Sequence, residues 1–267
     1  MTLNPETRPL PLRRNSELAV LEDPLEWLRQ FQTGWLAHYE RTGEQDWARY
    51  NRPRNTLAPC GPGIQLARSR ILVITTAGFF LRDAQAAFNA SDPLGDYTLR
   101  LIPSDTPVER LSFAHPELDS AVNHAADLFP LESLRAIEAT GFIKQLLSPV
   151  VSFMGHQPNV LRTVKELVPA VLAAARQARA HAALLLPASS LCVQTAGLVA
   201  RALEVNGIAS VLVTWNETLA RFVSPPRLLV TPYSRRAPLG TAAQQANTLK
   251  AALALLEQPG PLPPKTL

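Results

Sequence analysis

Two cysteines and five histidines are the residues of this 267-residue chain whose chemistry is accessible near neutral pH. Cys192 lies in PASSLCVQTAGLVARALEVNGI (187–208), where an apolar run gives way almost at once to a helical pattern. With Ser189 or Ser190 as N-cap, the thiol falls in the first helical turn. Unpaired N–H groups and the helix dipole favour an anion there, which lowers a thiol's pKa and makes the thiolate available as a nucleophile. The competing role is packing. Free cysteine is among the most buried residue types, and Leu191 and Val193 flank this one. Ser189 and Ser190 offer hydroxyls, but no Gly-x-Ser-x-Gly elbow exists and no histidine is adjacent in sequence. The histidines (38, 115, 124, 156 and 181) make no metal-spaced pair with either cysteine, so no metal site is expected. His115 and Asp119 would share one face if their segment were helical, either as a solvated pair or as a catalytic one.

A parallel sheet must position these groups. RILVITTAG (70–78), YTLRLIPSD (97–105), AALLLPA (182–188), IASVLVTW (208–215) and PRLLVTPY (226–233) read as strands. Helical patterns lie among them at 129–143, 158–181, 191–207 and 247–257, with a kink expected at Pro169. The alternation predicts an α/β fold, doubly wound, with a mostly parallel sheet of about five strands and helices on both faces. Residues 67–258 form this domain. Residues 1–16 read as a loose or disordered arm, and 259–267 as a flexible tail. Residues 17–66 combine a helical arm, with Leu28, Phe31, Trp35 and Tyr39 at helical spacing, and a Pro/Gly-rich connector, NRPRNTLAPCGPGIQL, that holds Cys60. Its glycines precede a strand, so they are no dinucleotide fingerprint.

Open parallel sheets bind ligands at the carboxyl ends of their strands. That rule selects Thr76 and Gly78 after the first strand and Asp105 after the second. It selects Ser189 and Cys192 after the third, Asn216 after the fourth, and the arginines beyond Tyr233 after the last. Charged residues make up 18% of the chain and the net charge is +4, without a dense Lys/Arg block, so nucleic acid is not an expected partner. The N-terminus lacks the apolar core of a signal peptide, and no apolar run reaches the ~18 residues of a spanning helix. A membrane is therefore not expected either, and a soluble, cytoplasmic protein is.

The order of segments resembles the selenoprotein B subunit family of glycine, sarcosine, betaine and D-proline reductases. The matching pieces are TTAG (75–78), RLIPSDTP (100–107), His115 with Asp119, FPLESL (129–134), GFI (141–143), SFMG (152–155), CVQTAGLVARALEVNGI (192–208) and Pro-Leu-Gly (238–240). They span roughly residues 70–257. The resemblance implies reductive cleavage of carbon–nitrogen bonds in amino acids and amines, at a Sec-x-x-Cys-x-Gln-Thr pattern. Carried over, the cysteine is Cys192, followed by Gln194 and Thr195, and the selenocysteine position is Ser189. Serine is a weak nucleophile without a base and cannot close a bond to Cys192, so the two-electron pair is broken. Cys60 could replace the missing partner only within ~7 Å Cα–Cα of Cys192.

Three readings follow. The first is a selenium-free oxidoreductase acting on a small amine or amino acid. Cys192 is its nucleophile, Asp105 and His115 handle protons, and Ser189 donates to the thiolate. Thr76, Gly78, Asp119, Asn216, Gln194 and Thr195 bind substrate. No cofactor is bound, and an external thiol is the reductant. The second is a non-catalytic binding subunit that keeps the reductase fold, with an inert Cys192. The third is a hydrolase or lyase using Ser189. Companion reductase subunits and a second copy of the chain are the protein partners left open.

Overall fold

The computed structural model describes residues 19–119 and 125–267. The arm expected at 1–16 lies outside them. Ten strands occur among the described residues: β1 (Arg70–Thr75), β2 (Phe79–Leu81), β3 (Arg100–Ile102), β4 (Leu111–Phe113), β5 (Gln145–Leu146), β6 (Val150–Ser152), β7 (Ala182–Leu186), β8 (Ala209–Thr214), β9 (Leu228–Val230) and β10 (Lys265–Thr266). The main sheet runs β10-β9-β8-β7-β1-β6-β3, with β5 also on β1. Every pairing is parallel except β3 on β6. β7 and β8 are buried along their whole length, which is why their sequences are apolar without alternation. Alternate residues serve opposite faces. Leu72 and Ile74 join a core with Leu172, Val199 and Leu203, whereas Ile71 and Val73 join one with Leu134, Ile137 and Leu249. Helices thus cover both faces, as a doubly wound sheet requires.

Two expectations change. The second strand is cut to three residues, lies at the edge and runs antiparallel, with Arg100 opposite Ser152 and Ile102 opposite Val150. The place beside β1 goes to β5 and β6, pieces too short to read as strands on either side of Ser148–Pro149. Because β3 runs backwards, Ser104 and Asp105 sit at the amino ends of the parallel strands, where the Ser104 N–H donates to Ser148 Oγ at 3.2 Å. The supposed flexible tail is also ordered by pairing. Lys265 and Thr266 lie opposite Leu229 and Val230, and Gly260 bridges to Gly61 in the connector.

The N-terminal arm is a helix (Pro24–Phe31), a π turn (Gln32–Leu36), a second helix (Ala37–Thr42) and a single turn (Trp47–Arg49). Trp27, Phe31 and Trp35 are buried in the first core, their rings stacked at 4.9 and 5.6 Å. The irregularity expected at Pro169 is a π turn, Thr163–Leu167, directly before the Val168–Gln177 helix. The helix Ser190–Val205 is buried from Leu191 to Glu204, so its lower polar residues need internal partners. Arg201 donates to the carbonyls of Ala19, Val20, Leu57, Val223 and Ser224, tying arm and connector to the domain. Glu204 pairs with Arg227 at 2.9 Å. No helix among the described residues is long and apolar enough to cross a membrane.

Candidate functional site

β1, β7 and β8 end in one row, and the Ser190–Val205 helix begins there. Thr76 joins the two elements, its Oγ1 accepting from the Ala188 N–H at 3.0 Å. Ser189 is the N-cap by backbone geometry, but its side chain does not cap the helix. Cys192 is therefore in the first turn, as expected, and it is 0% exposed. Its Sγ lies 3.1 Å from His115 Nε2 and 3.3 Å from Ser189 Oγ, and faces the Thr76 carbonyl at 3.6 Å. Gly155 closes the remaining side. A Cβ there would come within 2.7 Å of both Cys192 Sγ and Thr76 Cβ.

His115 arrives through Gly78. That glycine has a φ of +70°, and the Ala114 N–H donates to its carbonyl at 3.0 Å, next to the β2–β4 pair. The segment His115–Asp119 is a turn rather than a helix. Within it the Glu117 N–H donates to His115 Nδ1 at 3.1 Å. Nδ1 is then an acceptor, so the proton resides on Nε2 and is donated to the sulfur. Burial lowers the His115 pKa to about 4, with Glu117 opposing and Arg235 assisting. Burial pushes the Cys192 thiol up, against the hydrogen bond from Ser189. The resting site is a neutral thiol beside a neutral imidazole. Burial works against the thiolate that the helix N-terminus favours.

The His115 value carries a sign that can be measured. Between pH 6.5 and about 4 the unfolded chain binds a proton that the folded chain refuses. Stability therefore falls as pH falls through that window, by roughly 3 kcal/mol in all. Urea melts of the native protein and His115→Gln at pH 7 and pH 4.5 should show the gap between them narrowing in acid. Parallel pH slopes would remove His115 as the cause.

Glu117 is the hub that the sequence did not expose. Its Oε1 accepts from His156 Nδ1 at 2.9 Å and Ser189 Oγ at 3.1 Å, and its Oε2 from Arg235 Nη1 at 3.1 Å. Burial raises its pKa, but the hydrogen bonds from His156 and then Ser189 help bring it below the ordinary carboxylate value. Beyond Glu117 a cavity of about 240 Å³ is lined by Trp47, Tyr50, Arg52, Glu117, His156, Ser190 and Leu191. Three of these belong to the N-terminal arm and connector. Tyr50 Oη accepts from Gln194 Nε2 at 2.9 Å and donates to the Pro158 carbonyl at 2.9 Å. The Trp47 ring stands edge-on to His156, 5.3 Å between centroids.

No family model matches the chain, and no solved structure does. D-proline reductase subunit gamma of Acetoanaerobium sticklandii is 28% identical to it over 185 residues, which cover 68% of this chain and 73% of that protein. The chain is distantly related to that reductase subunit. The relative's name makes it one subunit of a larger assembly, so companion subunits are consistent with the relation.

Set on this reductase-related scaffold, the residues picked out by sequence divide. Cys192, Ser189, His115 and Thr76 meet at the site. Gln194 and Thr195 line up beneath it, Thr195 donating to the Gly155 carbonyl at 2.9 Å and Gln194 holding Tyr50. Gly78 shapes the backbone that delivers His115. Asp105 is at the other end of the sheet. Asp119 is exposed at the end of the His115 turn. Asn216 spends its Oδ1 capping the helix Glu217–Arg221, at 3.1 Å from the Leu219 N–H. Cys60 is exposed in the connector next to Gly61, which packs on Glu204. Glu204 lies twelve residues along the helix from Cys192, about 18 Å away at the α-helical rise. Cys60 is thus no redox partner for it. Among the described residues no cluster of three or more His, Cys, Asp or Glu side chains could hold a metal.

Proposed function

We propose that this chain is a reductase-related subunit that binds a small amino acid or amine, of the D-proline type, in the cavity between the arm and Ser190. Reductive turnover is not its own task. The observation that carries this is the state of Cys192. The thiol is fully buried and held protonated by desolvation, and the chain's other cysteine, Cys60, is exposed in the connector. The residue at the family's selenium position is a serine whose hydroxyl is given to Glu117. A polar, arm-covered cavity beside a silent thiol suits recognition, with companion subunits supplying the redox chemistry. Titration calorimetry with both enantiomers of proline, alongside a dithiol-driven turnover assay, tests it. Binding without turnover is expected. Turnover by the chain alone, lost in Cys192→Ala, would overturn it.

One observation favours the alternative of thiol catalysis. His115 Nε2–H and the Ser189 hydroxyl both face Sγ at a helix N-terminus, a set of donors that would hold a thiolate once formed. That reading also needs an external thiol reductant and a way to uncover the sulfur. The Ser189 hydrolase reading gains no support, because Ser189 is buried and Glu117, with its lowered pKa, is a weak base.

A further inference from the structure

We propose that the turn His115–Asp119 is a lid over Cys192 and that the ion pair between Glu117 and Arg235 is its latch. Release of the pair uncovers the sulfur without unfolding the domain. The device goes beyond the binding reading and does not depend on a ligand. It provides the uncovering that any thiol chemistry at Cys192 requires.

Thr76, Gly155, Ser189 and His115 close on the sulfur. The first three belong to one hydrogen-bonded block. The Gly155 N–H donates to the Thr76 carbonyl at 2.8 Å, Thr76 Oγ1 accepts from the Ala188 N–H next to Ser189, and Thr195 ties the Gly155 carbonyl to the central helix. His115 arrives differently. It is carried by a surface turn in which Pro116 and Asp119 are exposed. That turn follows the β2–β4 pair, a two-stranded unit separate from the main sheet. Lifting it removes one wall of the thiol's enclosure and leaves the main sheet and the central helix intact. Such local openings need far less free energy than global unfolding.

Glu117 holds the turn down. Its backbone N–H fixes His115 Nδ1, and its carboxylate reaches Ser189, His156 and Arg235. Ser189 and His156 are buried, whereas the Arg235 side chain is 47% exposed. Arg235 lies 118 residues further along the chain, at the exposed tip of the segment that follows β9. The base of that segment is fixed. Thr231 Oγ1 donates to the Pro238 carbonyl at 2.8 Å, and Thr248 Oγ1 to the Leu239 carbonyl at 3.0 Å. The guanidinium is thus an anchored post to which the turn is fastened. Of the carboxylate's three partners, it is the one that water and salt reach most freely, so it is the one that can be released from outside.

Alkylation of Cys192 by iodoacetamide, in the full chain carrying Cys60→Ala, tests this. Arg235→Gln is expected to raise the labelling rate about fivefold, the scale of one partly exposed ion pair. Arg236→Gln removes the same charge one residue away and should leave the rate as it was. Loss of a nearby cation makes a thiolate scarcer, so faster labelling reports access rather than activation. The gain should vanish when Arg235→Gln is made in a Glu117→Gln background, where the charge pair is already gone. Low concentrations of urea should hardly change the rate in Arg235→Gln, because a local opening exposes little surface. The latch is overturned if Arg235→Gln labels no faster than its parent, if Arg236→Gln gains equally, if the gain persists with Glu117→Gln, or if the rate follows urea as steeply as global unfolding does.

Discussion

Alkylation of the folded protein at pH 7.5 is expected to label Cys60 and leave Cys192 untouched. Cys60 is exposed, and Cys192 has no accessible surface. Two barriers multiply at Cys192. Burial holds the thiol protonated, so little thiolate exists to react, and the reagent must wait for an opening of the surrounding core. Together they slow the reaction by on the order of a thousandfold or more relative to a free thiol. Mass spectrometry of Cys60→Ala should show no adduct until denaturant unfolds the chain. The same pKa shift has a signature in stability. As pH rises past the ordinary thiol value of 9.0, the unfolded thiol ionises and the folded one does not, so stability declines on the alkaline side. Rapid labelling of Cys60→Ala, with a midpoint below that of a free thiol, would reverse the ranking of the two readings and make Cys192 a nucleophile.

Arg227→Met is expected to destabilise the fold by about 3–5 kcal/mol, the usual result of removing one partner from a buried ion pair. Arg227 and Glu204 are almost fully enclosed, with side-chain exposures of 0% and 1%. Burial pushes the Glu204 pKa up, and Arg227 is the charge that offsets it. Arg227 also donates to the carbonyls of Gln258 and Pro62, so it joins the closing segment and the connector to the lower end of the central helix. Its loss strands a carboxylate and two carbonyls at once. The double variant Arg227→Met/Glu204→Met should recover part of the loss, because two apolar groups need no counter-charge. Urea denaturation of the two singles and the double gives the coupling energy. A loss below about 1 kcal/mol in Arg227→Met would mean that water reaches Glu204 and that the pair is not sealed.

The legible part of this protein was local. Fully apolar runs identified β1, β7, β8 and β9, because strands covered on both faces have no polar side to show. The period of the Ser190–Val205 helix and the serines before it placed Cys192 in a first turn without any tertiary information. Short elements escaped. β5 and β6 are too brief to show a period, and the direction of β3 depends on which neighbour it meets, so Asp105 was assigned to the wrong end of the sheet. The charge state of the thiol and the identity of its neighbours were decided only by the tertiary structure. His115 is 77 residues from Cys192, and Gln194 is 144 from Tyr50. Glu117 could have been noticed beside His115, but nothing local linked Arg52 or His156 to the helix N-terminus. A sequence sets what each segment prefers by itself. Desolvation and hydrogen-bond partnership arise only where distant segments close around one another, and here that closure turned a position suited to a thiolate into the seat of a neutral thiol.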